Sequence, residues 1–258
     1  MHPILFEVGP ITIYSYGFFI ALGAILGLVY MAVQGKRNFG TTFDKSNSLF
    51  IYIVISAYVG GKVFFFFENP SFYIHNLSKL FSGNGFVFFG SLLFAIPTML
   101  WFFKKNNIPT LPLLDVMAIV TCIVHGFGRI GCFMSGCCHG KPTDSFLSVV
   151  FTNPVCQAEP LNTPLHPTQL YESGFIFILM GALLIIKRNK KFDGQLFLIY
   201  LIAYSVGRSL LEFLRGDEAR GYLIQDILSH SQFISIIVIA IASYFYVKLD
   251  RRGKLLKP

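Results

Sequence analysis

Residues 113–132 of the chain read LLDVMAIVTCIVHGFGRIGC, an apolar run long enough to cross a lipid bilayer. Crossing the hydrocarbon core takes about 20 residues, and a helix satisfies all of its backbone hydrogen bonds within one segment. The run also contains His125 and Arg129 near its carboxyl end, where ionisable residues are rare. The stretch therefore predicts a transmembrane helix with polar residues near one end.

Six further apolar runs lie before and after this one. Hydrophobic residues make up 54% of the 258 residues and charged residues only 13%, whereas a soluble domain has about 25% charged residues. We therefore expect an all-α integral membrane protein, a single polytopic domain over residues 1–258 with about seven spans. The spans are predicted at about 14–34, 49–67, 86–103, 113–132, 170–186, 195–214 and 233–247.

The Lys and Arg residues fall mainly in alternate connections, those after the first, third, fifth and seventh runs. Cytoplasmic loops carry the excess of Lys and Arg in membrane proteins. We therefore expect the N-terminus outside and the C-terminus in the cytoplasm, with the longest loop, about 133–169, facing outward. Orientation also accounts for the net charge of +8 without nucleic-acid binding.

Two arginines, Arg129 and Arg208, lie inside predicted spans near the same leaflet boundary. A charged side chain costs about 2.5–3.5 kcal/mol at the centre of a span on insertion scales. Tyr204, Arg208 and Glu212 are spaced by four and share one helix face. One interpretation is structural: Arg208 pairs with Glu212, and Arg129 extends its charged head to the interface.

The alternative interpretation is a phosphate site. Guanidinium groups bind phosphate through a bidentate fork, and glycines beside both arginines allow a ligand to come close. Two such arginines at one boundary favour this interpretation. A phosphate at the outer boundary of a membrane is most simply a phospholipid headgroup.

His125 lies four residues before Arg129 on the same predicted helix face. A lone histidine in a span is often a hydrogen-bonded packing residue. Beside a phosphate-binding arginine it is also a reasonable proton acceptor, because imidazole exchanges protons near neutral pH. Both interpretations stay open.

Four of the five cysteines, Cys132, Cys137, Cys138 and Cys156, fall in one stretch that also contains His139. We rank buried or substrate-lining thiols first and a disulfide second, with Cys132 or Cys156 as the partner of a vicinal cysteine. A metal site ranks third, because the spacing does not match paired zinc knuckles. A thiol nucleophile is the least supported interpretation.

The block GRIGCFMSG at 128–136 resembles the signature of bacterial phosphatidylglycerol–prolipoprotein diacylglyceryl transferases. The block HPTQLYE at 166–172 resembles the same family, as do the first residues of the chain and the helix face from Tyr204 to Arg215. These blocks occur in the family's order. The combination is specific, whereas a lone Gly-Arg-x-Gly block would not be.

The resemblance implies a transferase of the bacterial cytoplasmic (inner) membrane whose site opens to the outer leaflet. Members of the family move the diacylglyceryl group of phosphatidylglycerol to the lipobox cysteine thiol of a preprolipoprotein and release glycerol phosphate, the first step of lipoprotein maturation. Membrane lipid and the signal-peptide region of the preprolipoprotein are then the partners, without nucleic acid. No metal and no organic cofactor is required.

The resemblance also implies roles for individual residues. Arg129 and Arg208 hold the lipid phosphate, Glu212 orients Arg208, and His125 is the candidate base. Gly136 and Gly140 allow the backbone to come close to the substrate. The remaining site residues are Tyr16, Cys132, Ser135, Gly136, Cys137, Gly140, His166, Gln169 and Tyr204.

The chain departs from the family's commonest form at three positions. That form has Asn at the position of Cys132, an acidic residue at Cys137 and His at Phe89. A branch of the family with a similar cysteine-containing block tends to place a histidine where His125 stands. We infer that His125 takes over the role of the missing imidazole.

Two rival functions fit the same residues. A paralogue would use the arginines to pass a glycerolipid to another acceptor. A non-enzymatic lipid transporter or sensor would only bind the phosphate. Transporters usually show internal repeats, and none is visible in this sequence, which weighs against the second rival.

The predicted orientation is testable with topology reporters. Fusions after Lys105, after Lys191 and at Pro258 are expected to read cytoplasmic, and those near Lys79 and Thr163 external, because basic connections stay inside. Paired reporters, one active only in the cytoplasm and one only outside, measure this. An external reading at Pro258 would overturn the span count or its direction.

Overall fold

The computed structural model describes most of the chain. The predicted span boundary at Phe86 and the reporter positions at Lys79 and Pro258 lie outside the described residues. The described residues are 1–9, 11–68, 70–76, 87–216, 222–224 and 228–255.

Helices dominate the described part of the chain, which confirms the expected mostly helical fold. Seven of them have 18 residues or more, and each coincides with one predicted span. The helices are α1 Ser15–Phe39, α2 Phe43–Glu68, the short α3 Pro70–His75, α4 Phe88–Lys105, α5 Thr110–Ser135, α6 Thr168–Lys187, α7 Gln195–Glu212 and α8 His230–Leu255.

Five of these helices are long and apolar enough to cross a membrane: α1, α2, α5, α6 and, over His230–Arg252, α8. Helices α4 and α7 have 18 residues each and are not among the five. The count of seven spans and their orientation therefore stay predictions. Several helices also extend beyond the predicted apolar run, as α1 does by ending with Lys36 and Arg37 in its last turn, where basic residues favour a helix carboxyl end.

The described residues also form three small antiparallel sheets, which the sequence did not predict. Each has two strands, and the middle sheet lies in the long connection between α5 and α6 with Val149 opposite Leu165. The pairs are β1 Ile4–Val8 with β2 Ile11–Tyr14, β3 Val149–Val150 with β4 Pro164–Leu165, and β5 Tyr222–Ile224 with β6 Leu228–Ser229.

The chain divides into two compact units, one of residues 1–30 and 114–258 and the other of residues 31–113. In the second unit, α2 and α4 approach closely at two glycines. A Cβ added to Gly60 would lie 2.3 Å from the carbonyl oxygen of Gly90, so only small residues fit at this crossing. All of the predicted site residues belong to the first unit.

The core of the first unit is formed by α5, α6 and α7. Ile119, Ile176 and Leu196 are fully buried within it. Gly126 accommodates the ring of Phe177, since an added Cβ would lie 2.7 Å from that ring. This tight packing fixes the three helices that carry the polar residues.

Asp115 fixes the other end of the same helices. Its buried carboxylate accepts hydrogen bonds from the backbone N–H groups of Gly194, at 2.9 Å, and Phe197, at 3.1 Å. It also pairs with Lys190 at 3.0 Å. The start of α7 is thereby tied to α5, because a carboxylate at a helix amino end satisfies its free N–H groups.

The long connection after α5 is held by backbone hydrogen bonds on both sides. The N–H of Gly140 donates to the oxygen of His166 at 2.8 Å, and the N–H of Lys141 donates to the oxygen of Leu214 at 2.9 Å. A Cβ at Gly140 would lie 2.5 Å from that oxygen of Leu214. At Gly140, the group that approaches closely is therefore the backbone of Leu214.

Candidate functional site

A buried carboxylate, Glu172, lies at the centre of a polar cluster. Its side chain is 1% exposed. One oxygen, Oε2, lies 3.0 Å from Nε of Arg129 and 3.8 Å from Nη1 of Arg215. The other, Oε1, accepts a hydrogen bond from the hydroxyl of Tyr204 at 3.0 Å and lies 3.4 Å from Nε2 of His125. We call these five residues the Glu172 cluster.

Helix packing explains why these residues meet. His125 and Arg129 are four apart on α5 and project from one face. The hydroxyl of Ser173 on α6 donates to the oxygen of Gly126 on α5 at 3.0 Å. That bond sets the register of α6 against α5 and brings Glu172 beside both side chains.

The Nε2 atom of His125 has two partners that it cannot serve at once. Nε of Arg129 donates to it at 3.3 Å, which needs an unprotonated Nε2. A protonated Nε2 donates instead to Glu172, whose oxygen is 3.4 Å away. The ring nitrogen thus lies beside one hydrogen-bond donor and one carboxylate acceptor.

Arg208 and Glu212 form an i,i+4 ion pair on α7. Arg208 is buried, and it lies close enough to Glu172 to interact with it electrostatically. Tyr204, four residues earlier, bonds Glu172 directly. Helix α7 thus contributes Tyr204 to the Glu172 cluster and places Arg208 close to it, with Glu212 paired to Arg208.

The side chain of Arg129 is held within the Glu172 cluster. Its side chain is only 15% exposed, and its contacts run through Nε to Glu172 and His125. Among the described residues, its two terminal nitrogens have no hydrogen-bond or ion-pair partner. A guanidinium anchored through Nε keeps the two terminal donors of its fork for a ligand.

The cysteine-containing turn after α5 is held by the start of α6. Gln169 donates from Nε2 to the carbonyl oxygen of Cys137 at 2.6 Å, and Thr168 donates to that of Cys138 at 2.8 Å. The Sγ atoms of Cys132, Cys137 and Cys138 lie within 4.8 Å of one another. None of the five cysteines, all of which are described, forms a disulfide.

The thiol of Cys138 lies in a setting that favours its ionised form. Hydrogen bonds from Cys132 and Cys137, followed by the charges of Arg129 and Arg215, hold the pKa of the Cys138 thiol below its usual range despite burial. A thiolate is both the nucleophilic and the metal-binding form of cysteine. The Sγ atoms of the three cysteines lie close enough together to hold a metal ion.

Tyr16 and Ser135 are placed at the edges of this region. The backbone of Tyr16 packs on Gly131, where an added Cβ would lie 3.1 Å from the carbonyl oxygen of Tyr16. The carbonyl oxygen of Ser135 accepts a hydrogen bond from the N–H of Gln157 at 2.9 Å. Neither side chain is among the contacts of Glu172.

The other two histidines of the region, His139 and His166, have their partners outside the Glu172 cluster. His139 lies 2.9 Å from the oxygen of Gly140 through Nδ1, and its Nε2 accepts a hydrogen bond from the N–H of Glu159 at 3.3 Å. Nδ1 of His166 lies 3.4 Å from the hydroxyl of Tyr171. Neither imidazole is bonded to Glu172, which leaves His125 as the imidazole of the cluster.

Sequence reasoning missed Glu172 and Arg215 as site residues. Glu172 lies inside a predicted span, so the cost that singled out Arg129 applied to it equally. Arg215 comes three residues after Glu212, just beyond the end of α7. Phe89, which stands where the resemblance places a histidine, is 57% exposed on α4 of the other unit.

Comparison with known proteins gives a consistent result along the whole chain. A family model described as prolipoprotein diacylglyceryl transferase matches residues 3–248. A phosphatidylglycerol–prolipoprotein diacylglyceryl transferase of Clostridium tetani is 38% identical, covering 98% of this chain and 100% of the relative. A second such transferase of Clostridium perfringens is 36% identical over 93% of this chain and 92% of the relative. One from Dehalococcoides mccartyi strain 195 is 31% identical over 98% and 95%.

The Glu172 cluster predicts a stability effect. Glu172→Gln keeps the volume but removes the carboxylate from beside Arg129 and Arg215, and breaking a buried ion pair costs about 3–5 kcal/mol. We expect the Tm of the purified protein in detergent to fall by at least about 6 °C. The control Glu159→Gln changes an exposed carboxylate and should leave Tm unchanged. If Glu172→Gln has the same Tm as Glu159→Gln and the unchanged protein, the cluster does not stabilise the fold.

Proposed function

Because this chain belongs to the prolipoprotein diacylglyceryl transferase family, we propose that the Glu172 cluster transfers the diacylglyceryl group of phosphatidylglycerol to the lipobox cysteine of preprolipoproteins. The chain is a transferase of the first step of lipoprotein maturation. One observation carries the placement of the reaction at this cluster. Arg129 is buried and anchored through Nε, with the two terminal donors of its fork left for a phosphate.

The reaction is a substitution at carbon. The acceptor thiolate attacks the glycerol carbon that bears the phosphate ester, so a C–S bond forms and a C–O bond breaks. The electron pair of the C–O bond leaves on the phosphate oxygen as glycerol phosphate. The site must therefore stabilise negative charge on the leaving phosphate and accept the thiol proton.

Arg129 and Arg208 are proposed to hold that phosphate. Arg129 is held by Glu172 and Arg208 by Glu212, so each guanidinium is oriented by a carboxylate before the lipid binds. Preorganised donors stabilise developing charge without reorganising during the reaction. This arrangement supports the role of Glu212 as a positioning residue and adds the same role for Glu172.

His125 is proposed to accept the thiol proton. Its Nε2 exchanges partners between Arg129 and Glu172 according to its protonation, so the cluster accommodates both forms of the ring. His139 hydrogen-bonds within the long connection, and Nδ1 of His166 lies 3.4 Å from the hydroxyl of Tyr171 on α6. The geometry therefore favours His125 over these two imidazoles.

Further residues are proposed to bind the substrates. Gln169 is 1% exposed, and its Oε1 accepts no hydrogen bond from the described residues. A buried acceptor of this kind needs a donor, which a hydroxyl of a lipid headgroup supplies. The proposed substrate-binding residues are Tyr16, Arg129, Cys132, Ser135, Gly136, Cys137, Gly140, His166, Gln169 and Tyr204.

The membrane placement is part of the proposal. We propose seven spans in a single domain of the bacterial cytoplasmic (inner) membrane, with the N-terminus outside and the site toward the outer leaflet. The basic residues at the carboxyl ends of α1, α4 and α6 support this direction. With this orientation the site meets the lipobox region of a preprolipoprotein where that region leaves the membrane.

The proposed reaction is tested directly with purified protein. Incubation with phosphatidylglycerol and a lipobox peptide should add one diacylglyceryl group to the cysteine of the peptide, read by mass spectrometry, with equimolar glycerol phosphate. A peptide with Ser in place of that cysteine is the control. Release of glycerol phosphate without peptide lipidation would favour another acceptor, and lipid binding without release a non-enzymatic role.

The arginines give a sharper prediction. Arg129→Lys and Arg208→Lys keep the charge but lose the planar fork, so kcat/KM should fall at least about tenfold, equal to about 1.4 kcal/mol of transition-state stabilisation. Arg188→Lys, an exposed arginine after α6, is the matched control. Near-normal turnover in both site variants would make the two arginines structural.

The role of His125 predicts a change in pH dependence. His125→Gln should reduce transfer at least about tenfold at pH 7 while phosphatidylglycerol still binds, because the acceptor thiol loses its base. The rate should recover partly toward pH 9, since a free thiol has a pKa of about 8.5 and ionises unaided there. The exposed His230→Gln serves as the control. A wild-type rate in His125→Gln across pH 6 to 9 would make His125 a packing residue.

A further inference from the structure

We propose that Cys132, Cys137 and Cys138 together bind one thiophilic d10 cation, Zn²⁺ or Cu⁺. This proposal goes beyond the transfer reaction, which requires no metal, and it does not rest on it. We call the three sulfur atoms and their side chains the thiol triad. The triad stands on the geometry of the turn after α5, on its hydrogen bonds and on the charges around it.

The separation of the sulfur atoms is close to what a cation requires. All three Sγ atoms lie within 4.8 Å of one another. Zinc–thiolate bonds of about 2.3 Å in tetrahedral geometry place sulfur atoms about 3.8 Å apart. The sulfur atoms thus need to approach by at most about 1 Å, which small side-chain rotations supply.

The backbone brings together cysteines that the sequence spacing separates. Helix α5 ends at Ser135, and Gly136 takes a left-handed conformation with φ of 79° that reverses the chain. As a result Cys137 returns to the last turn of the helix, where its Sγ lies 3.7 Å from the carbonyl oxygen of Cys132. Cys138 is also left-handed, with φ of 61°, a conformation that costs a non-glycine residue about 1–2 kcal/mol.

Buried side chains hold this strained turn in place. Gln169 and Thr168, each 1% exposed, donate to the carbonyl oxygens of Cys137 and Cys138. Packing adds to this, because a Cβ at Gly136 would lie 3.0 Å from Cβ of Cys156. Metal sites depend on such supporting contacts, which fix the ligands before the ion arrives.

The charges around the triad suit a metal–thiolate group. Three thiolates with a divalent cation carry one negative charge, and with a monovalent cation two. Arg129 and Arg215 both interact electrostatically with Cys138, and Arg129 also interacts with Cys132. The guanidinium groups therefore offset the negative charge of three thiolates in a partly buried site.

The described residues supply three ligands and no fourth. The nearby His139 uses both ring nitrogens within the long connection. Cys156 packs in an apolar cluster with Phe151 and Ala158. The fourth position of a tetrahedral ion would take water or a thiol, as in zinc sites with three protein ligands, whereas Cu⁺ is satisfied by three soft ligands.

The test starts with metal content. Full-length protein is purified in detergent under reductant, and zinc and copper are measured by elemental mass spectrometry before and after reconstitution with each ion. We expect one equivalent of one of the two ions and, after Co²⁺ reconstitution, a thiolate-to-metal charge-transfer band. Cys132→Ser and Cys138→Ser should each weaken the site at least about tenfold, while the matched control Cys156→Ser retains it.

A second measurement needs no variant and covers a failure of the variants to fold. Thiol alkylation of the unchanged protein, mapped by peptide mass spectrometry, should show Cys132, Cys137 and Cys138 protected together by Cd²⁺ and exposed again by a chelator. Labelling of these three thiols that Cd²⁺ leaves unchanged would overturn the proposal. Equal metal content in the triad variants and in Cys156→Ser would also overturn it, as would reconstituted unchanged protein that binds neither ion. A disulfide within the triad that persists in reduced, metal-treated protein would do the same.

Discussion

The buried carboxylate of Glu172 is the constraint on which the polar end of the helices depends. A carboxylate that is 1% exposed inside an apolar helix needs cationic and hydrogen-bonding partners close by. It finds them on separate segments: Arg129 and His125 on α5, Tyr204 on α7, and Arg215 beyond α7. One side chain thus ties together three parts of the chain that are far apart in sequence.

The same pairing reaches the long connection after α5. Arg215 contacts Glu172 through its guanidinium, and its backbone pairs with that of Gly140. Gly140 in turn bonds His166 just before α6. The connection is therefore held between the start of α6 and the end of α7, and the cysteines of its first turn acquire fixed positions. The position of this connection thus depends on the ion pair between Arg215 and Glu172.

The sequence predicted the helices well, because a span must be both long and apolar. It also led to Arg129, Arg208 and Glu212, since charges in apolar runs need an explanation. The two-residue strands at Val149 and Pro164 were not predictable, because so short a strand shows no alternation.

The missed parts of the site have a different physical cause. Glu172 stands in a motif that composition marks only as an interfacial helix start, and its partners come from other segments. A metal site at the cysteines ranks only third on sequence spacing. The left-handed backbone of Gly136 and Cys138 sets the sulfur positions, and spacing does not reveal such a turn.

Arg129 connects the two chemistries of the region. Its Nε holds Glu172 and His125, its charge acts on the thiol triad, and its terminal nitrogens are the proposed donors to the phosphate. With the proposed metal bound, the triad would carry a net negative charge that opposes the binding of a phosphate at Arg129. Glycerol phosphate is a phosphate monoester with up to two negative charges, whereas the phosphodiester of phosphatidylglycerol carries one. A loaded triad would therefore weaken the hold on the leaving group more than the hold on the lipid. The charge of the triad would then act chiefly on the release of the leaving group.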